Sequence, residues 1–253
     1  MIDWHSHILP AVDDGPADIE QSVAIAASLA AGGFTEIYCT PHLVRGRYEA
    51  GNDEVRWGVA KLQERLNTDG IPITLRNGRE YCLDEYLQAA LEDPLPLGDS
   101  RLLLVEILPH STDVMVRRLL YDVVRAGFIP VIAHPERCPL LEPPGPPAGN
   151  GGILGSFRNL FPGRGNGHAE RARGDDAHTG SSRREPGNPL LSYLMDLGCS
   201  FQGNLGSFSG FYGGQVKCTA ESMRHAGIYD RYGTDLHTLE QAKIILHSNL
   251  NVG

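Results

Sequence analysis

No CxxC pair occurs in the chain, and its five cysteines (Cys39, Cys82, Cys138, Cys199 and Cys218) are an odd number set far apart. This excludes a disulfide framework and a thiolate-ligated zinc, and makes the reducing cytoplasm the expected location. No apolar run approaches a transmembrane length, and no basic stretch leads into an apolar one near Met1, so direct membrane insertion is not expected. Positive charge is also short: 22 Lys and Arg face 31 Asp and Glu, a formal net charge of -9. Without Lys/Arg clusters, a nucleic-acid partner is not expected.

What remains is ordinary globular material. With 253 residues, 41% apolar and 21% charged, the chain can bury a real core, and single α/β barrels commonly have this length. Short apolar runs read as strands: MIDWHSH, FTEIYCTPH, IPITLRNGRE, RLLLVEI, GFIPVIAHPER, GCSFQGNL and a weaker IYDRYGTDLH. Between them lie the helical patterns DIEQSVAIAASLAAGG, NDEVRWGVAKLQERLNTDG, DEYLQAALED, TDVMVRRLLYDVVRAGF, LLSYLMDLG and VKCTAESMRHAG. This alternation predicts βαβ units, a largely parallel sheet, and one α/β domain over residues 1–253. From about 142 to 188 the pattern fails in a Gly-, Pro- and Ser-rich stretch that reads as an inserted low-complexity loop, with His168 and His178 as solvated residues.

Metal-ligand residue types gather at the carboxyl ends of the predicted strands. They are His5 and His7, His42, Glu80, Glu106, His134, and the pair Asp235 and His237. In a parallel barrel these ends share one face, where active sites sit. Residues i and i+2 of a strand point the same way, so HSH and DLH can each present two ligands. One aspartate of the DDG loop, Asp13 or Asp14, brings the set to nine, too many for one ion and suited to two or three. Nitrogen and oxygen donors without sulfur suit Mn, Fe, Zn or Co, and the carboxylates favour Mn or Fe. Arg137, three residues after His134, is suited to a bidentate grip on phosphate oxygens, or equally to a rim salt bridge.

In order along the chain, HSH, DDGP, TPH, GRE, VEI, IAHPER, a strand ending in Asn204 and a terminal DLH resemble the polymerase and histidinol phosphatase (PHP) superfamily. MIDWHSHILPAVDDGP with IAHPER is especially similar to its capsule-type bacterial tyrosine phosphatases. The resemblance implies a distorted (β/α)7 TIM-like barrel of the PHP type with three metal ions. It assigns His5, His7, Glu80 and Asp235 to one ion, and Glu80, Glu106 and His134 to a second. Asp14, His42 and His237 go to the third, which leaves Asp13 as a supporting residue. Arg137, Asp235 and His237 are the expected catalytic residues, and Asn204 is expected near the site. One departure stands out: the second arginine that follows the DxH motif in such phosphatases is missing from DLHTLEQAKII, where Gln241 and Ala242 occur. Arg45 or Arg47 is the expected substitute in substrate binding.

The Cys-x5-Arg spacing of thiol-dependent phosphatases occurs twice, as CTPHLVR and CTAESMR. That chemistry needs backbone N–H groups converging on phosphate and a low-pKa thiolate. Pro41 lacks an N–H, and Glu221 would repel phosphate, so both matches are read as chance. The expected function is a metal-dependent phosphomonoesterase acting on a phosphotyrosine protein. Its partner, by the resemblance, is a bacterial tyrosine kinase that controls capsule and exopolysaccharide synthesis. Tyr48 or Phe211 is a candidate to pack on the substrate ring. The alternatives are a small-molecule phosphatase such as one for histidinol phosphate, a phosphodiesterase, and a non-catalytic metal-binding partner.

Overall fold

The computed structural model describes residues 1–142 and 187–247, and the insertion expected at about 142–188 falls almost wholly outside them, with His168 and His178. The strands are β1 (Ile2–Ser6), β2 (Glu36–Cys39), β3 (His42–Leu43), β4 (Thr74–Asn77), β5 (Glu80–Cys82), β6 (Leu102–Glu106), β7 (Ile129–Ala133), β8 (Ser200–Asn204) and β9 (Arg231–Gly233). The helices are α1 (Ile19–Ala31), α2 (Asn52–Thr68), α3 (Leu87–Ala90), α4 (Asp113–Arg125), α5 (Pro189–Asp196), α6 (Leu205–Ser209), α7 (Gly214–His225) and α8 (Leu239–His247).

Local chemistry starts the helices where expected. Asp18 caps α1 by accepting from the Gln21 N–H, and Thr112 caps α4 by accepting from Met115. Each helix then buries one stripe, Ser22, Ile25, Ala26 and Leu29 in α1, and Val116, Leu119, Leu120 and Val123 in α4. DEYLQAALED yields only the single turn of α3, while α6 and α8 arise where no helix was expected.

All strand pairings are parallel, in the orders β1-β2-β4 and β3-β5-β6-β7-β8-β9. The division comes from two interrupted strands. Thr40–Pro41 separates β2 from β3, and Gly78–Arg79 separates β4 from β5. Pro41 has no N–H for a ladder, but its carbonyl accepts from the Glu80 N–H at 3.1 Å, and pairing resumes with His42 opposite Glu80. The sheet curls until its far edge meets β1. The Asp235 N–H donates to the His5 carbonyl at 2.7 Å, and the His7 N–H to the Leu236 carbonyl at 3.0 Å. Gly233 makes this approach possible, because a Cβ there would lie 2.7 Å from the His5 backbone nitrogen.

Alternation along the strands sorts the core. Leu103, Val105, Ile132 and Phe201 join the outer apolar layer with residues of α4 and α5. Leu104, Val131 and Ala133 pack inside the curl with Leu97, against Trp4 and Tyr38. A register shift between Asp3 and Ser6 lets the consecutive residues Trp4 and His5 both reach the inner side. Among the described residues, no helix is long and apolar enough to cross a membrane.

Candidate metal centre

His5 and His7 are fully enclosed at the end of β1, and acceptors hold the outer nitrogen of each ring. His5 Nδ1 lies 2.8 Å from Gln202 Oε1, and His7 Nδ1 lies 2.7 Å from Asp13 Oδ2. The Gln202 amide orientation is settled because its Nε2 donates to the Gly203 carbonyl at 2.8 Å. Protons therefore sit on both Nδ1 atoms, and the Nε2 lone pairs face each other 3.1 Å apart. Glu80 Oε2 stands 3.2 Å from each of them and 3.1 Å from His42 Nδ1, yet it has no hydrogen-bond partner. His237 repeats the pattern: Nδ1 faces the Asp235 carbonyl at 3.0 Å, and Nε2 lies 3.4 Å from Asp14 Oδ1. Lone pairs converging on an orphaned, buried carboxylate oxygen are the donor set a divalent cation requires.

Among the described residues, three groups of donors are close enough to hold ions: His5, His7, Glu80 and Asp235; His7, Asp14, His42 and His237; and His42, Glu80 and Glu106. The first is the set expected from the sequence. In the second, His7 joins the expected trio. In the third, His42 occupies the place expected for His134, whose Nε2 lies 3.2 Å from Glu80 Oε1 and 3.8 Å from Glu106 Oε1. His134 and Asp235 have left-handed backbones (φ 31° and 52°), a conformation otherwise found among described non-glycine residues only at Ala11. Ala133 already faces inward, so plain alternation would turn His134 outward, and the positive φ swings it back.

Burial and neighbouring charge shift protonation in both directions here, down at His42 and His134 and up at His5, His7 and Glu106. Burial alone would push the His5 imidazole down, but Glu80 and Asp235 beside it hold it above its ordinary value. Burial opposes protonation of His7 too, and is outweighed by Asp13, Asp235 and Glu80. Burial and the neighbouring Glu80 push Glu106 up to about 7.

The cavity above these groups has a volume of about 380 Å³ and is lined by Arg137, Tyr212, Gln241 and all the expected ligands except the enclosed His5 and His7. Arg137 Nη1 donates to Asp235 Oδ2 at 2.6 Å, and its guanidinium lies 4.5 Å from the Tyr212 ring centroid. Arg137 thus makes an ion pair with Asp235 while lining the cavity. Asp235 divides its labour, with Oδ1 towards His5 and His7 and Oδ2 towards Arg137 and Asn204.

Of the residues expected at or near the substrate, Asn204 touches the proposed ligand Asp235 and Arg45 lies in the next groove. Asn204 is fully enclosed, its Oδ1 accepting from the Gly206 N–H at 2.7 Å and its Nδ2 donating to Asp235 at 2.9 Å. It holds Asp235 and caps α6 instead of facing the cavity. Arg45 lies over the Tyr86 ring at 4.6 Å, in a neighbouring groove with Leu43 and Cys82, and does not line the metal-site cavity. Tyr48 stacks towards His42 at 6.1 Å, whereas the Phe211 ring meets that of Tyr212 edge-on. The thiol matches also fail on geometry. Cys39 is wholly buried and its pKa is driven up by that burial, while Cys218 sits exposed on the regular helix α7. Gln202 and Tyr212 were not foreseen. Gln202 shares the inward face with Asn204 two residues on, which was a readable signal, and Tyr212 lies in a loop without periodicity.

Residues 1–142 match the family model for capsular polysaccharide synthesis proteins CpsB/CapC. The chain belongs to the CpsB/CapC family. The match carries β1 to β7 and the ligand positions up to His134. Similarity to the tyrosine-protein phosphatase YwqE of Bacillus subtilis extends it, at 28% identity over 243 residues, covering 95% of this chain and 78% of YwqE. The tyrosine-protein phosphatase CpsB of Streptococcus pneumoniae is 32% identical over 144 residues, 56% of this chain and 59% of the relative. The putative tyrosine-protein phosphatase CapC of Staphylococcus aureus is 30% identical over 139 residues, 54% of each. These two matches thus span little more than half of the relatives' length. A crystal structure from a study of YwqE and CpsB as metal-dependent tyrosine phosphatases superposes with a TM-score of 0.75 at 26% identity, covering 100% of this chain and 85% of that one. The CpsB/CapC chain described here thus shares the parallel, curled α/β architecture of that structure.

Proposed function

We propose that this CpsB/CapC protein is a metal-dependent protein-tyrosine phosphatase built on a single distorted (β/α)7 barrel of the PHP type. The observation that carries the reading is the convergence of His5 Nε2, His7 Nε2 and the unpartnered Glu80 Oε2 beneath a cavity that also presents Arg137. Four carboxylates, Asp14, Glu80, Glu106 and Asp235, line that cavity. Alone they would repel a phosphate dianion, so phosphate can enter only once cations have reversed the local sign.

The residues fit two or three divalent ions, with Mn favoured and Fe, Zn or Co possible by donor type. His5, His7, Asp14, His42, Glu80, Glu106, His134, Asp235 and His237 would hold them. Bound there, such ions supply Lewis acidity and bring the pKa of a coordinated water towards neutrality. The chain does the positioning. Asp13 and Gln202 fix the imidazole tautomers, and Asp235 and Tyr212 hold the Arg137 guanidinium at the cavity wall for a phosphoryl oxygen. No side chain forms a covalent phospho-intermediate, in keeping with the burial of Cys39. A phenolate leaves more readily than an alkoxide, which suits phosphotyrosine. The partner is a phosphotyrosine protein of the bacterial cytoplasm, a tyrosine kinase governing capsule synthesis. The relatives are named as protein phosphatases, which favours this over a small-molecule substrate.

Purified protein with measured metal content is offered a phosphotyrosine peptide, histidinol phosphate and a phosphodiester, with and without chelator. Chelator-sensitive turnover of the peptide is the expected result. Preference for histidinol phosphate would overturn the tyrosine assignment, and no turnover of any ester by metal-loaded protein would overturn the enzyme.

A further inference from the structure

Where a second arginine was expected after the DxH motif, the structure places Gln241 on the cavity wall. We propose that Gln241 is a substrate-binding residue whose side-chain amide donates a neutral hydrogen bond to a phosphoryl oxygen, in addition to the ionic contact of Arg137; this rests on the phosphatase reading above. Residues Thr238 to Gln241 form a reciprocal capping box at the start of α8. The Gln241 backbone N–H donates to the Thr238 hydroxyl at 3.2 Å. In return, Gln241 Oε1 accepts from the N–H of Thr238 at 3.1 Å and of His237 at 2.7 Å.

That box settles which way the amide faces. Both partners are donors, so only the oxygen can meet them, and Nε2 must point away. Nε2 has no hydrogen-bond partner among the described residues. The side chain is half-buried, and the cavity it lines also contains His237, Asp14 and Arg137. Two N–H donors are thus held on a wall whose other polar groups are mostly carboxylates and imidazoles. The same box ties the amide to the backbone of His237, so binding at the cation site and at the phosphate share one support. Arg137 is already paired with Asp235 at 2.6 Å, which offsets part of its charge and leaves room for a further donor.

The test substitution is Gln241→Glu in the full-length, metal-loaded protein. A glutamate fills the same position of a capping box, so both backbone N–H groups keep their acceptor, while the cavity loses its amide donors and gains a negative charge. Unchanged Tm and metal content are expected. The KM for a phosphotyrosine peptide and the calorimetric Kd for inorganic phosphate should both rise about 10- to 100-fold, the loss of a hydrogen bond to a charged group. Gln241→Ala, which removes cap and donor together, should weaken phosphate binding similarly and also lower Tm. If wild type binds phosphate and Gln241→Glu matches it within about twofold, against the loss expected for such a bond, the inference fails alone. The same follows if phosphate binding falls only together with metal content, which would mark a purely structural cap. A metal-loaded wild type that neither binds phosphate nor turns over the peptide would overturn the phosphatase reading and this inference with it.

Discussion

At the scale of single residues, the site is organised by groups that touch its ligands and not the cavity. Asp13 accepts from His7 Nδ1 at 2.7 Å and from the His42 backbone N–H at 2.9 Å, so one carboxylate orients two proposed ligands. Asp13→Asn should lower metal affinity about 10- to 100-fold while leaving all nine ligands in place; titration calorimetry measures it, and unchanged affinity would remove Asp13 from this role. The proton balance gives a second prediction. His5 and His7 lie above their ordinary value, so their stabilising contribution is complete below about 6.5 and is lost as pH rises through their folded values. Glu106, raised to about 7, acts in the same direction. The Tm of the metal-free protein should therefore fall as pH rises above about 6.5, while metal, which displaces those protons, reduces the fall. Metal uptake near neutrality should release protons, visible as a buffer-dependent binding enthalpy. Matching Tm profiles with and without metal would contradict this. The donor groups that the fold brings together were legible from sequence, because His, Asp and Glu at successive strand ends are chemically conspicuous. Sequence placed Asn204 near the site but does not reveal that its amide is spent on a cap and on Asp235, nor that the Arg45 guanidinium lies on Tyr86.

Elements decide how those residues meet. The seven strand-like runs are all present, but two are cut, at Thr40–Pro41 and at Gly78–Arg79, where the sheet curls and pairing shifts between partners. Pro41 signalled the first break; the second follows from packing, since a Cβ at Gly78 would come 2.8 Å from Leu97 Cδ2. Helix α8 was missed although Thr238–Leu239–Glu240–Gln241 carries the capping-box spacing that starts it. The contact of β9 on β1 leaves no room for a side chain at Gly233. Gly233→Ala would drive a Cβ to within 2.7 Å of the His5 backbone nitrogen, which neither strand can yield without moving His5 or Asp235. A loss of about 1–3 kcal/mol is expected for such overpacking, together with reduced metal content. Denaturant unfolding checks the first, elemental analysis the second, and wild-type values in both would contradict the closure of the sheet on β1.

Across the whole molecule, the curl gathers donors that begin at His5 and end at His237 into one cluster, so cation binding links the chain's two described ends. Binding to the folded state alone should stabilise it by about 2.7 kcal/mol at a free metal concentration of 100 times Kd, read as a rise in Tm that chelator reverses. Among the described residues, no helix is long and apolar enough to cross a membrane. The central claim is that converging imidazoles and carboxylates, and not a thiol, carry phosphotyrosine hydrolysis. Its most direct measurement is the rate of phosphate release from a phosphotyrosine peptide by one metal-loaded preparation, divided between chelator, chelator followed by Mn, and a thiol-alkylating reagent. The account predicts loss with chelator, recovery on adding Mn, and no change on alkylation. Activity that survives chelation but disappears on alkylation would contradict it.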